Sequence, residues 1–82
     1  MKANEAVKAM LGERGVSQSE AGRRLGKSRG HVGSDTHGYV VKGKPLGMTV
    51  DTLLEYADML GYALSLVPLE GGIPLHIDEK SR

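Results

Sequence analysis

The tripeptide Gly26-Lys27-Ser28 has the residue types that close a phosphate-binding loop. In such a loop a glycine lets the backbone approach a phosphate, a lysine neutralises it and a hydroxyl holds Mg²⁺. That chemistry also needs a glycine five positions before the second one, with a strand in front and a helix behind. The position is occupied by Ala21, and the preceding run Ser17 to Leu25 is patterned as a helix. No apolar strand ending in a carboxylate offers a Mg²⁺ partner. Nucleotide hydrolysis is therefore excluded as the reading of this tripeptide. His31, His37 and His76 raise metal binding, but no pair of them has the spacing of a zinc site and the chain has no cysteine. No Ser-His-Asp or paired-carboxylate arrangement follows from spacing. The expectation is a protein that is not an enzyme and carries no metal or cofactor.

The same tripeptide can instead be the turn between two helices. Gly26 suits the left-handed residue that ends one helix, and Ser28 suits the N-cap of the next. Upstream, Ser17-Gln18-Ser19-Glu20 matches a capping box, in which Ser17 takes the Glu20 N–H and Glu20 reaches back. The spacing predicts a second helix from about Gln18 that ends at Gly26 and carries Ala21 and Leu25 inward. Gly22 would lie where it crosses a short third helix, Ser28 to about Thr36, with Val32 plugging the angle. Gly30 and Gly33 inside that third helix each cost roughly 1 kcal/mol relative to Ala, so packing must hold it.

Around this pair, Ala3, Val7, Met10 and Leu11 predict a first helix over about 3–14, closed by Gly15. Thr49 caps the strongest amphipathic pattern, with Val50, Leu53, Leu54, Ala57 and Leu60 on one face and Gly61 as its stop. Between them, 37–48 reads as a basic loop or a short extended excursion at Tyr39-Val40-Val41. After Gly61 the period changes to two. Leu64 and Leu66, a Glu70-Gly71-Gly72 turn, then Ile73, Leu75 and Ile77 predict a β-hairpin or two extended segments. A two-stranded hairpin is marginal alone in water, and with no internal sheet to join, residues from Ala63 to Asp78 are expected to pair between chains.

Size and charge bound the rest. The 82 residues make one small domain without Cys, Phe or Trp, and its core must come from Leu, Val, Ile, Met and Ala. Association into a homodimer is a natural source of stability for such a chain. The apolar runs fall far short of the roughly 20 residues that span a bilayer, and no leader-like segment opens the chain. A soluble, cytoplasmic protein without membrane contact is the expectation. The net charge of +1 hides a polarity. From Arg14 to Lys44 seven basic residues face two acidic ones, a net of +5, whereas from Pro45 onward the net is −4. A basic segment of this kind suits a polyanion such as double-stranded DNA.

The run "SQSEAGRRLGKSRGHV" followed by "TVDTLLEYADMLGY" resembles the phage repressor/Cro-type (XRE-like) helix-turn-helix family over residues 5 to 62. The resemblance implies an all-α, lambda-repressor-like domain of four to five helices over 1–62; the alternation of the tail adds a short C-terminal β-hairpin or strand extension over 63–82 as a candidate dimerisation element. It implies a dimeric, sequence-specific DNA-binding transcriptional regulator of the repressor kind that reads the major groove with helix 28–36. By position in the family pattern, Arg29, Gly30, Gly33 and Ser34 would meet base edges, with His37 near the far end. Arg29 is the best reader, because its fork can pair with guanine O6 and N7. Gln18 and Ser28 at helix N-termini, with Arg23, Lys27, Lys42 and Lys44, would meet phosphates. The chain departs from the family at Asp35, where a second apolar residue is usual, at Thr36, and in its longer 37–48 loop. A second expectation, from another class, is an antitoxin whose tail covers a toxin partner and whose DNA binding is autoregulatory.

Overall fold

The computed structural model describes residues 1–77. Among them are four helices and two separate two-stranded antiparallel sheets. The helices are α1 (Ala3–Arg14), α2 (Gln18–Leu25), α3 (Arg29–His37) and α4 (Val50–Leu60). Strands β1 (Tyr39–Val41) and β2 (Lys44–Leu46) form a hairpin between α3 and α4, and β3 (Leu64–Leu66) pairs with β4 (Leu75–Ile77) after α4. A helical domain with C-terminal strands is thus the observed architecture. The end of the tail, Asp78 included, lies outside the described residues.

Each helix begins and ends where its local chemistry dictates. Ser17, Ser28 and Thr49 accept the N–H of the third residue onward, Glu20, His31 and Thr52, at 3.1, 3.1 and 3.2 Å. Each thereby satisfies one of the N–H groups that a helix start leaves free. Gly26, at φ 70°, turns the chain in the left-handed conformation that glycine adopts without strain. The capping box at Ser17 is only half formed. Glu20 gives its two carboxylate oxygens to Arg23 and Arg24 instead of reaching back.

The core gathers Val7, Met10 and Leu11 of α1, Ala21 of α2, Val32 of α3 and Tyr56, Ala57 and Leu60 of α4. Val32 is fully buried and Leu25 packs at the margin of the cluster. Gly22 is buried against the turn that follows its own helix. A Cβ built there would meet the Lys27 carbonyl oxygen at 2.5 Å, closer than any real Cβ contact. The Lys27 N–H in turn donates to the Gly22 carbonyl at 2.8 Å. The α2–α3 junction therefore closes only because position 22 has no side chain.

The stretch 37–48 is more ordered than a loop. β1 and β2 pair with Tyr39 opposite Leu46, Val40 opposite Pro45 and Val41 opposite Lys44. Lys42 and Gly43 make the two-residue turn, both at positive φ (52° and 76°), the pattern whose twist matches the flanking strands. The tail forms the expected β-hairpin: β3 and β4 pair with each other, Leu64 opposite Ile77 and Leu66 opposite Leu75.

Candidate functional site

Three faces of α3 have different surroundings. Val32, Asp35 and Thr36 are buried, Gly33 and Ser34 are half-buried, and Arg29, Gly30, His31 and His37 are exposed. Arg29 is the first residue of the helix and stands beside the Ser28 cap, where free N–H groups and the helix dipole favour an anion. Gly30 faces open space: a Cβ added there would meet nothing within 4 Å. At Gly33 a Cβ would come within 3.3 Å of the Gln18 side chain, so α2 and α3 approach closely at this point.

The expected contact residues separate into three groups. Arg29, Ser28, Lys42 and Lys44 are exposed, and among the described residues Arg29, Lys42 and Lys44 make no ion pair. Arg23 is exposed too, but it is paired with Glu20. That hydrogen bond raises the Arg23 pKa, and hydrogen bonds from Arg23 and Arg24 hold the Glu20 carboxyl below its usual range. At 75% side-chain exposure the Arg23 pair is solvent-screened and can exchange its carboxylate for a phosphate. Gln18 and His37 are engaged locally. The Gln18 amide lies 3.5 Å from the Thr36 hydroxyl, and His37 Nδ1 lies 2.9 Å from the Gly33 carbonyl oxygen. Ser34 and His37 border a cleft of about 480 Å³ shared with Asn4, Tyr39 and Met48.

Lys27 corrects the sequence reading. Its expected place is on a phosphate, but its side chain is only 11% exposed and points into the fold. Its Nζ lies 3.3 Å from Asp35 Oδ2 and 3.5 Å from Glu55 Oε1, and it stacks 5.0 Å from the centroid of the Tyr56 ring. The carboxylate of Asp35 is the cause. A buried anion must be paired and fully hydrogen-bonded, and Lys27 is the nearest cation that can supply the charge.

Asp35 is the centre of a cluster that spacing alone does not reveal. Besides Lys27, it accepts the Tyr56 hydroxyl at 2.6 Å and the Tyr39 hydroxyl at 2.9 Å, and His31 Nε2 stands 3.9 Å away. Burial alone pushes the Asp35 carboxyl up, but the two tyrosine hydrogen bonds and the Lys27 charge outweigh it and hold the group below its ordinary value. Burial, reinforced by the Asp35 bond, in turn drives both phenols upward, Tyr56 most of all. One carboxylate thus ties the α2–α3 turn, α3, β1 and α4 together. The sequence signal is an acid at a position of apolar periodicity, with a tyrosine inside the α4 core stripe.

Comparison with known proteins adds no relative to this geometry: no family model matches the chain, and no curated protein or solved structure matches it significantly. The chemistry of the site must be read from its own residues. Among the described residues, no group of three or more His, Asp or Glu side chains could hold a metal ion. No helix among the described residues is long and apolar enough to cross a membrane. What the arrangement offers is an exposed helix start whose guanidinium makes no ion pair among the described residues, on a helix whose other face carries a buried ionic cluster.

Proposed function

We propose that the chain is a sequence-specific DNA-binding regulator, of the repressor kind, in which α2 and α3 act as a helix-turn-helix and α3 enters the major groove. The observation that carries this reading is Arg29: exposed, unpaired and first in a helix whose opposite face is buried. In such a motif the N-terminal residues of the second helix meet base edges while the first helix crosses the backbone. Arg29 is the base reader, through guanine O6 and N7. The N–H groups that follow the Ser28 cap, together with Arg23, are the phosphate contacts. Gly30 lets the helix approach without a side chain in the way.

Enrichment of genomic fragments on the immobilised protein, followed by sequencing, tests the reading. One short motif should emerge. Against a duplex carrying it, Arg29→Ala should cost about 1–3 kcal/mol and relax one base pair, whereas Arg23→Ala should weaken selected and random duplexes alike. Equal losses on both duplexes for Arg29→Ala would remove its role as reader. A folded protein that enriches nothing would remove the function.

The C-terminal hairpin favours a second role alongside the first. Leu66, Val67, Leu69, Ile73 and Leu75 are all exposed, an apolar patch of the kind that marks protein contact. A second copy of the chain would place two α3 helices about 34 Å apart, one turn of DNA. A toxin would instead make the protein an antitoxin with autoregulatory DNA binding. Light scattering of the purified protein separates them: a dimer supports the first and a monomer that gains a partner in its native host supports the second.

A further inference from the structure

The β1–β2 hairpin has no part in the helix-turn-helix proposed above, yet its construction points outward. Its turn places Lys42 at φ 52°, the only residue other than glycine at positive φ among those described. Left-handed backbone is unfavourable for lysine, and two-residue turns of this type prefer Asn, Asp or Gly at that position. Such strain at an exposed tip points to a role for the side chain rather than for the turn. Lys44 follows two residues later, and Lys42, Gly43 and Lys44 are all exposed. Val40, on the strand leading to the tip, is 71% exposed.

The hairpin is also held at a fixed place relative to α3. Only Gly38 separates the two elements, and the Tyr39 hydroxyl is anchored on Asp35 of α3 itself. Three residues of strand, at about 3.4 Å each, carry the tip about 10 Å out from that anchor. We infer that the β1–β2 hairpin is a second DNA-contacting element, a cationic arm in which Lys42 and Lys44 meet the phosphates of a duplex beside the groove that α3 occupies. The inference rests on the DNA-binding reading and adds a contact outside the helix-turn-helix. The partner is a duplex because the arm is rigidly coupled to a helix that presents Arg29, and because two lysines with one apolar residue match phosphate and sugar better than an apolar protein surface. The arm lengthens the footprint and strengthens binding without selecting sequence.

The decisive variant is K42G/K44T. A Gly-Gly turn suits positive φ better than Lys-Gly, and threonine favours a strand, so the hairpin should keep or gain stability while losing both charges. Binding to a fluorescein-labelled 30-base-pair duplex of mixed sequence is followed by anisotropy across a potassium chloride series. The slope of log Kobs against log salt should become shallower by about 1.8, about 0.9 for each phosphate that a lysine no longer neutralises. Removing one charge in K8Q, a lysine exposed on α1, should leave the slope unaltered. A K42G/K44T protein that melts like the parent and keeps its slope overturns the arm and leaves Arg29 and α3 untouched. A loss of about 0.9 in K8Q, half that of the double variant for half the charge, also overturns it, since the effect is then general charge. If the folded parent binds no duplex, both the arm and the DNA reading fall.

Discussion

The β1–β2 and β3–β4 hairpins are each three residue pairs long, but the chain attaches and equips them differently. β1–β2 follows α3 after one glycine and is pinned by Tyr39 to a buried carboxylate, with lysines at its tip. β3–β4 follows α4 through Gly61, Tyr62 and Ala63, and its cross-strand pair Leu66 and Leu75 remains 58% and 65% exposed. On the opposite face Ser65 and His76 pair through a 2.7 Å hydrogen bond. A hairpin of this length is not stable alone in water, so each needs something to lean on. The first leans on the ionic cluster of its own domain. The second keeps its apolar cross-strand pair exposed. Similar backbones thus differ in what holds them: one has a buried polar anchor and the other an exposed apolar face.

Removing the anchor is the severest way to break this comparison. Asp35→Ala leaves Lys27 buried without its main counter-ion and two tyrosine hydroxyls without their acceptor, and it should destabilise the protein by about 3–5 kcal/mol. Urea unfolding measures this, and a loss below about 1 kcal/mol would mean that the cluster does not brace the fold. Acid sharpens the same point. The Asp35 carboxyl is lower in the folded protein than its ordinary 3.8, so its contribution is complete above that value and fades as pH falls through the folded pKa. Stability of the parent should therefore drop below about pH 4 by more than that of Asp35→Asn.

Two glycines should respond in opposite senses. Gly22→Ala forces a Cβ onto the Lys27 carbonyl and should cost about 1–3 kcal/mol, loosening the turn that delivers both α3 and the arm beyond it. Gly30→Ala has open space and a helical backbone, so thermal melting should show a gain of about 1 kcal/mol. If affinity for a selected duplex falls while stability rises, Gly30 serves close approach to DNA. A rise in both would make it merely tolerated.

How much of this is legible in the sequence depends on the range of the interaction. The helix limits are, because caps act within three or four residues: Ser17, Ser28 and Thr49 fall where their hydroxyls reach the next turn, and Gly15, Gly26 and Gly61 where a left-handed residue ends it. The end of α3 lies one residue beyond the expected Thr36. The Lys42-Gly43 turn is less legible because lysine is a poor marker of positive φ. Lys27 misleads because its partners are eight and twenty-eight residues away, and a lysine between two helices looks the same in sequence whether it faces a phosphate or a buried carboxylate. The tail is legible as a hairpin because alternation and the Glu70-Gly71-Gly72 turn act locally, whereas alternation does not say what covers its apolar face.

The smallest expected change in stability tests the other hairpin. Leu66→Ser with Leu75→Ser alters a cross-strand pair that is already mostly in water, so the monomeric fold should lose no more than about 0.5 kcal/mol for each. Association should respond out of proportion. If a second copy covers this face, the double variant loses the apolar centre of the interface and sediments as a monomer at concentrations where the parent is a dimer. Binding to a two-half-site duplex then weakens while binding to a single half-site persists. A parent that is already monomeric, with the double variant indistinguishable from it, would leave the exposed leucines to a partner of another sequence. A large loss of thermal stability in a monomeric parent would show instead that the tail folds back onto its own domain. In that case the two hairpins would be anchored alike, and the contrast between them would rest on charge alone.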